Sequence, residues 1–297
     1  MKKLQLLILF LLYIGAVNSQ IIDNTEGKTF GDIPFFNEAF IKRNKVKSIK
    51  GNYASKAKMA YIKKSNDVYF YEFNALGQLI KDYRTQYGDT LINLYEYDSA
   101  GLLKTHRKSD NSGFQSYHYT YDNRGRIISK EFRKDINKVG DRLKFKLSKS
   151  YSVSIEKYSY EELSGQDYKK IYYNNSGRVY KEEFYYFNED GYLLKEEGRL
   201  KMGSGLTSTT YEYDEMGRVQ SKIVEKRVMG NYKSKWEYQY DEHSNVLAQH
   251  YYKDGEYKQE IQIVYMPESL LLKAFLYRDE GTDFMTILQF TEYEFYE

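Results

Sequence analysis

The chain has 297 residues, of which 34 are Tyr and 16 are Phe, and it contains two Pro and no Cys. The lack of Cys excludes a disulfide framework and a cysteine-linked lipid anchor. The formal charge is +3, and removing the charges of Lys2 and Lys3 leaves +1. The chain therefore lacks the basic excess of nucleic-acid-binding proteins. Its aromatic-rich composition indicates sequence repetition or an aromatic face.

Residues 1–19 have the features of a secretory signal peptide. These features are a positive n-region, an apolar run and small residues before the cleavage site: Lys2 and Lys3, Leu4 to Gly15, and Val17 with Ser19. An uncleaved anchor is the alternative, but the apolar run is too short to span a bilayer comfortably. We expect a mature chain that begins at Gln20 and carries no membrane span, located in the periplasm, at the cell surface or outside the cell.

Residues 20–51 form an N-terminal segment ahead of the repeats. The stretch from Pro34 to Asn44 starts with proline and has apolar residues at near-helical spacing. Because proline suits the first turn of a helix, the stretch predicts a short helix, which we expect to cap the first strand edge. Residues 52–297 form the predicted repeat domain.

One eight-residue pattern occurs seven times in that domain, as in YEYDEMGR at Tyr211–Arg218. Every copy has Asp or Asn at the turn-opening position and Gly, or Ser in the last copy, three residues later: Asn74 and Gly77, Asp98 and Gly101, Asp122 and Gly125, Asn174 and Gly177, Asn188 and Gly191, Asp214 and Gly217, Asp241 and Ser244. This spacing is typical of a type I turn, in which the short side chain accepts a hydrogen bond from its own backbone two residues on. The glycine supplies the left-handed conformation that ends a three-residue hairpin loop with a bulge. In the last copy we expect a loop one residue longer, with Asn245 in the glycine's role, since Asn tolerates that conformation.

The residues beside each turn predict paired strands. An aromatic residue precedes every turn and an aliphatic residue stands two positions after the glycine position, as in Tyr121 and Ile127. Such a pair facing across two strands contributes roughly 0.2–1 kcal/mol. Aromatic and polar residues alternate upstream, and further turn patterns lie between the copies. We therefore predict an all-β fold, a long antiparallel meander of β-hairpins that forms a curled or partly rolled sheet.

The spacing between the turn glycines varies. Gly125 and Gly177 are 52 residues apart, which leaves room for a degenerate unit at Tyr158–Gly165. Gly177 and Gly191 are only 14 residues apart, so we expect their two turns to share one strand. Self-similarity of this kind marks a repeat architecture.

The pattern Y-x-Y-D-x-x-G-R, at Tyr119–Arg126 and Tyr211–Arg218, resembles the YD or RHS repeat of bacterial surface proteins, polymorphic toxins and teneurins. The resemblance covers roughly Tyr69 to Tyr252, and the signal ending in Ser-Gln resembles those of secreted Bacteroidota proteins. In large members, the resemblance implies, the hairpins spiral into a hollow shell, and toxin members add a proline-containing core segment before a C-terminal toxin. This chain is far shorter than a complete shell and has neither segment, so the resemblance does not extend to toxin delivery.

No catalytic or metal-binding motif stands out in the sequence. The four histidines lack metal-ligand spacing, and we expect the last two to be solvated: His106, His118, His243 and His250. The recurrent turn acids have a structural role, because they recur at every turn. We expect no enzyme activity, no cofactor and no metal.

The aromatic residues have two interpretations. Most of them suit the core of the sheet, because a tyrosine ring buries area while its hydroxyl finds a partner. Trp236, Tyr251 and Tyr252 lie outside the strict pattern and are candidate ligand-binding residues, since exposed rings stack on sugars or on partner chains. We predict a secreted, non-enzymatic repeat scaffold that binds glycan or protein through its sheet surface. A polysaccharide-acting hydrolase with a hidden site is the alternative. An outer-membrane barrel ranks last, because Lys, Arg and Glu occupy both faces too often for a lipid-facing band.

Overall fold

The computed structural model describes residues 20–31, 34–86, 88–110, 113–227 and 230–297. The predicted signal peptide therefore lies outside the described residues. Within those ranges the chain forms one α-helix, α1 (Glu38–Arg43), and eighteen strands. The strands are β1 (Val46–Lys56), β2 (Lys63–Phe73), β3 (Leu79–Gln86), β4 (Asp89–Tyr97), β5 (Leu103–Asp110), β6 (Gly113–Tyr121), β7 (Ile127–Asn137), β8 (Leu147–Glu162), β9 (Tyr168–Tyr173), β10 (Val179–Phe187), β11 (Leu193–Leu200), β12 (Leu206–Tyr213), β13 (Val219–Arg227), β14 (Asn231–Tyr240), β15 (Val246–Lys253), β16 (Glu256–Tyr265), β17 (Leu272–Asp279) and β18 (Phe284–Phe295).

The strands form a closed antiparallel barrel. Each strand pairs with the next along the chain, and β1 pairs with both β2 and β18. The predicted all-β meander is confirmed, but the prediction of a curled or partly rolled sheet is wrong because the sheet closes on itself. Closure depends on β1, which begins at Val46, ahead of the predicted boundary at residue 52, and on β17 and β18, which follow the last repeat.

The predicted turns are present at all seven sites. The residue at the glycine position has a positive φ in every copy, between 66° and 89°: Gly77, Gly101, Gly125, Gly177, Gly191, Gly217 and Ser244. In one copy Asp214 Oδ1 accepts hydrogen bonds from the backbone nitrogens of Met216, at 3.0 Å, and Arg218, at 2.9 Å. The turn-opening side chain thus holds both sides of the loop.

The last turn differs from the prediction. Ser244 itself adopts the left-handed conformation, with φ 66°, so the expectation that Asn245 takes the glycine's role is wrong. The reason is that the Asp241 carboxylate accepts two hydrogen bonds from Asn245, one from its backbone nitrogen and one from its Nδ2, each at 2.8 Å. Asn245 therefore fills the position that Arg218 occupies in the preceding copy.

The predicted aromatic–aliphatic pairs also face each other across the strands. All seven occur in the observed register: Phe73 with Leu79, Tyr97 with Leu103, Tyr121 with Ile127, Tyr173 with Val179, Phe187 with Leu193, Tyr213 with Val219 and Tyr240 with Val246. The two closely spaced turns share β10, and the degenerate unit forms the turn between β8 and β9, where Gly165 has φ 63°. Local sequence thus determines each hairpin.

Tyrosine hydroxyls connect six of the hairpins to a preceding part of the wall. A tyrosine near the end of the first strand donates to the backbone oxygen of an aliphatic residue 18 to 33 positions earlier: Tyr97 to Leu79, Tyr121 to Leu103, Tyr160 to Ile127, Tyr213 to Leu193, Tyr240 to Val219 and Tyr265 to Val246. Arginines add to this contact, since the Arg218 guanidinium lies 4.6 Å from the Tyr240 ring centroid. Phe has no hydroxyl for this bond, which explains the preference for Tyr at the position.

Replacing Tyr121 by Phe is expected to lower the free energy of unfolding by about 1 kcal/mol, the typical net value of one hydrogen bond. The Tyr121 hydroxyl donates to the Leu103 oxygen at 2.6 Å. Tyr119→Phe is the matched control, because Tyr119 lies on the same face of the same strand and its hydroxyl makes no hydrogen bond within the described residues. Urea denaturation compares the two variants. Equal losses would show that the hydroxyl bond does not couple the hairpins.

The N-terminal residues 20–31 and 34–44, here called the plug, lie inside the barrel. The Tyr238 hydroxyl donates to the Gly27 oxygen at 3.1 Å, and the Phe36 ring meets the Tyr71 ring at 4.8 Å. Phe30 packs edge-on against Phe275, at 5.2 Å. The contacted strands are β14, β17 and β2, so the plug packs along the part of the inner wall that runs from β14 to β2.

Helix α1 is part of the plug. It begins after Asn37, whose side chain accepts from the Phe40 nitrogen at 3.1 Å. The predicted helix is therefore present but shorter than Pro34–Asn44. It does not cap a strand edge, because the closed barrel leaves β1 paired on both sides. It packs instead on the β2–β3 turn, beside Gly77.

Candidate functional site

The two faces of the barrel wall differ in chemistry. The inner face carries the repeated aromatic residues, of which Tyr71, Tyr95, Tyr211 and Tyr238 are buried. The core expected for most aromatics is therefore the lumen side of the sheet. The outer face carries ion pairs. Three join neighbouring strands, Lys50 with Glu292, Lys81 with Glu72 and Lys169 with Glu182, and Lys235 pairs with Glu237 along β14.

An eighteen-stranded ring leaves space in its lumen. Strands about 4.8 Å apart make a ring roughly 86 Å around, so a circular ring is about 27 Å wide before strand tilt. The plug and the inner side chains fill part of that width. Two cavities remain against the plug, one of about 480 Å³ and one of about 1050 Å³. We call them the small cavity and the large cavity.

The small cavity lies between the plug and the inner wall of β9 to β14, and tyrosines form much of its lining. The Tyr168 and Tyr185 rings stack at 4.5 Å, and the Tyr192 and Tyr213 rings lie 4.8 Å apart. Burial raises the pKa of Tyr168 to about 12. The Tyr168 hydroxyl therefore stays protonated at neutral pH and can donate a hydrogen bond to a ligand.

Glu196 supplies a carboxylate to the small cavity. The Tyr211 hydroxyl donates to Glu196 Oε1 at 3.1 Å. Burial raises the pKa of Glu196, although Lys28 of the plug and the Tyr211 hydrogen bond act in the opposite direction. A carboxylate retained at a destabilising position inside an aromatic cavity is a feature of binding and catalytic sites.

Glu196→Gln is expected to stabilise the protein at pH 7. Since the folded pKa of Glu196 is raised, the native protein gains stability as the pH falls through that pKa, and the gain is complete below the unfolded value of about 4.3. The Gln variant lacks this gain but keeps an acceptor for Tyr211. Urea denaturation should give the variant a higher midpoint than the native protein at pH 7, and no higher midpoint at pH 4. A variant less stable at pH 7 would contradict this account of Glu196.

The large cavity lies between the plug residues Phe35 and Phe36 and the inner wall formed by β1 to β5 and β16 to β18. Asp82 stands in its wall and accepts from Asn93 Nδ2 at 3.0 Å and from the Tyr95 hydroxyl at 2.9 Å. Burial raises the pKa of Asp82, against the hydrogen bonds that favour its charged form. The cavity therefore combines a buried polar network with aromatic rings.

A further charged cluster lies on the inner wall of β8 to β10. Lys170 Nζ lies 4.1 Å from the Tyr158 ring centroid and 4.8 Å from that of Tyr172, and burial lowers the pKa of Lys170. Glu183 accepts hydrogen bonds from Tyr172 and, at 2.9 Å, from Tyr185. Burial opposes the charge of Glu183, but Lys181 and these hydroxyls hold its pKa below the usual value. Only the strand alternation of Tyr with Lys and Glu could have signalled this cluster.

The three predicted ligand-binding residues do not form one site. Trp236 and Tyr251 pair across β14 and β15, with ring centroids 5.2 Å apart, and Trp236 packs on the hydrophobic core. Tyr252 pairs with Lys235 on the opposite face of the same strands. Tyr251 and Tyr252 are consecutive residues of β15, and consecutive residues of a strand point to opposite faces. None of the three lines either cavity.

The histidines hold structural positions. His106 is buried and stacks on Tyr95 at 4.7 Å, and burial lowers the pKa of His118. His243 is exposed, as expected, but His250 is half-buried beside the Tyr257 hydroxyl at 3.1 Å, so the expectation of two solvated histidines is right only for His243. No group of three metal-binding side chains occurs among the described residues.

The fold and the lumen define the class of protein as an up-and-down β-barrel with an internal plug. No helix within the described ranges is long and apolar enough to cross a membrane. No protein-family model matches the sequence, and no curated protein matches it.

Three solved structures are similar to the chain at low identity. A porin-like protein from Bacteroides uniformis ATCC 8492 is 10% identical with a TM-score of 0.37, over 84% of this chain and 97% of that chain. A porin-like protein from Bacteroides vulgatus ATCC 8482 is 10% identical with a TM-score of 0.35, over 81% and 96%. A chain in the crystal structure of TcdB2-TccC3-Cdc42 is 13% identical with a TM-score of 0.33, over 77% of this chain and 15% of that chain.

Proposed function

We propose that this chain is an exported, non-enzymatic barrel scaffold of the YD/RHS-repeat type that binds a glycan in its lumen. The observation that carries the proposal is the small cavity, where tyrosine rings and hydroxyls surround Glu196. Aromatic faces beside hydrogen-bonding groups suit sugar rings. A cavity of about 480 Å³ admits a small ligand and not a folded protein, which favours glycan over the protein partner that the sequence also allowed.

The outer wall supports a barrel that faces water. A transmembrane barrel carries an outward apolar band about 25 Å tall. Here the outward positions at mid-strand carry ion pairs such as Lys235 with Glu237 on β14. Export is supported by the signal-peptide pattern, and mass spectrometry of the exported protein should give an N-terminus at Gln20. Full-length protein outside the cytoplasm would contradict cleavage.

Glycan binding is tested with two neighbouring tyrosines on β10. Tyr185 lines the small cavity, whereas Tyr186 pairs with Lys195 on the outer face. In a glycan array followed by calorimetry, Tyr185→Ala should lose binding and Tyr186→Ala should keep it. Circular dichroism of both variants checks the fold. Binding that survives in Tyr185→Ala, or is lost equally in both variants, would contradict a site in the small cavity.

A polysaccharide-acting hydrolase is the second candidate. Glu183 on β10 and Glu196 on β11 have pKa values shifted in opposite directions. Burial raises the pKa of Glu196, whereas hydrogen bonds hold the pKa of Glu183 below its usual value. Such a pair is the usual arrangement of acid and base. It ranks second because Glu183 does not line the small cavity. Release of reducing sugar from a polysaccharide, abolished by Glu196→Gln, would favour this candidate over the scaffold.

A further inference from the structure

The large cavity has an excess of positive charge. Its lining includes four cations and two carboxylates, an excess of two: Lys63, Lys64, Arg84 and Lys108, against Asp67 and Asp82. Lys63, Lys64 and Arg84 are exposed and form no ion pair with any residue that the structure describes, although the charge of Arg84 favours the charged form of Asp82. Cations left without a partner in a concave site attract an anionic ligand.

The small cavity lacks this property. Its lining has two cations and two carboxylates, and both cations are already paired, Lys28 with Glu26 and Arg218 with Asp214. Lysines of the outer wall are also frequently paired, as Lys50 is with Glu292. The unpaired positive charge therefore belongs to one cavity and does not follow from the composition of the chain.

The rest of the large cavity suits a sugar. Tyr69 stacks on Tyr71 at 4.5 Å, and Tyr53 lies 6.4 Å from Tyr69 in a near-parallel orientation. The lining also offers amide groups from Asn93 and Gln259 and hydroxyl groups from Ser65 and Thr85. A volume of about 1050 Å³ is at the upper end of small-molecule sites, which suits several sugar units better than one.

The cations stand where a ligand would enter. Lys63 and Lys64 begin β2, and Arg84 lies near the end of β3. These positions belong to one end of the barrel, and the plug residues Phe35 and Phe36 close the opposite side of the cavity. A ligand entering from that end meets the cations first and the aromatic wall next.

We infer that the large cavity binds an acidic oligosaccharide, whose carboxylate or sulfate groups pair with Lys63, Lys64 and Arg84. The inference rests on the proposed glycan-binding function and names its ligand class. Charge-assisted hydrogen bonds from ammonium and guanidinium groups are the strong contacts for such anions. The binding is therefore expected to weaken with salt, because the cations are exposed and ions screen exposed charges beyond about 10 Å at 0.1 M.

The test uses calorimetry on the purified exported chain with a trimer of galacturonic acid, its fully methyl-esterified form and a sulfated disaccharide. The cavity variant is Lys63→Gln/Lys64→Gln/Arg84→Gln. The matched control, Lys50→Gln/Lys81→Gln/Lys157→Gln, removes the same charge from the outer wall, where Lys157 is an exposed residue of β8 next to the inward Tyr158. Circular dichroism and urea midpoints verify that both variants fold.

The native chain and the control should bind the acidic trimer or the sulfated disaccharide. The cavity variant should bind the same ligand with at least tenfold lower affinity, a loss of about 1.4 kcal/mol in binding free energy. The methyl ester should bind the native chain as weakly as the acid binds the cavity variant. Equal affinity for acid and ester, or an unchanged cavity variant, would overturn the charge selection while glycan binding itself stands. Failure of every glycan to bind would overturn the glycan-binding function as well.

Discussion

Replacing Gly77 by Ala is expected to destabilise the barrel by about 2–5 kcal/mol, from the strain of a left-handed residue and from overpacking. Gly77 has φ 89°. A Cβ atom there would lie 2.1 Å from the backbone oxygen of Glu38 and 2.9 Å from the backbone nitrogen of Lys42. Backbone atoms of α1 cannot rotate aside as a side chain can. The helix must therefore move away from the β2–β3 turn.

Gly177→Ala is the matched control for this prediction. Gly177 occupies the same turn position with φ 72°, and nothing lies within 4 Å of a Cβ atom placed on it. Its replacement should cost only the left-handed strain, about 1–2 kcal/mol. Urea denaturation of both variants separates the two contributions. Equal losses would show that α1 does not rest on the β2–β3 turn and that the plug is held elsewhere.

The local part of the fold is readable from the sequence because each hairpin is specified by adjacent residues. Asp214 and Gly217 determine one turn, and Tyr213 with Val219 determines the register beside it. The pattern repeats with little variation, so an error in predicting one hairpin does not change the prediction of the others. Only the last copy was misassigned, since Ser and Asn both tolerate the left-handed region and their side-chain contacts decide between them.

Closure and the plug could not be predicted in the same way. Closure requires β1 to pair with β18, and Tyr53 faces Leu288 across more than 200 residues of chain. Nothing local distinguishes this pairing from a free edge. The plug is similarly non-local, because Asn24 Nδ2 donates to the Tyr240 hydroxyl at 2.9 Å. The two cavities exist only where the plug meets the wall, so the candidate site was not visible in the sequence.

The faces of the three ligand-binding candidates follow from simple alternation along the strands. Trp236 and Tyr251 point to the lumen side of the wall, while Tyr252 lies on the other face. Consecutive residues of a strand point to opposite faces, so Tyr251 and Tyr252 cannot share one site. Which face becomes the lumen side depends on closure of the barrel, and the local sequence does not determine it.

A second buried region lies on the outer wall, under the connection between β7 and β8. Phe145 of that connection packs edge-on against Phe114, with ring centroids 4.8 Å apart. The Arg107 guanidinium lies 5.0 Å from the Phe145 ring centroid. Arg107 Nε donates to Asp135 Oδ2 at 2.8 Å, and the Asp135 side chain is completely buried. The charged pair thus stands inside a small apolar cluster.

Replacing Arg107 by Met is expected to destabilise the protein by about 3–5 kcal/mol at pH 7, because it leaves the buried Asp135 carboxylate without its cation. Burial raises the pKa of Asp135, but hydrogen bonds from Ser150 and Arg107 outweigh it and hold that pKa below the usual value. In the native protein this carboxylate contributes stability above the unfolded pKa of about 3.9, and the contribution is lost as the pH falls through the lower folded pKa. Without Arg107 the pKa of Asp135 rises, so the variant recovers relative to the native protein on acidification.

Urea denaturation of the native chain and of Arg107→Met at pH 7 and pH 3 should therefore show a difference that narrows at the lower pH. Arg124→Met is the control, since Arg124 pairs with Glu162 at 2.7 Å while their side chains are 64% and 58% exposed. Removing such a surface pair costs about 0–1 kcal/mol. The double variant Arg107→Met/Asp135→Leu should regain most of the loss, because no charge is left buried. A loss in Arg107→Met no larger than in the control, or one independent of pH, would mean that the β7–β8 connection is held by its aromatic contacts alone.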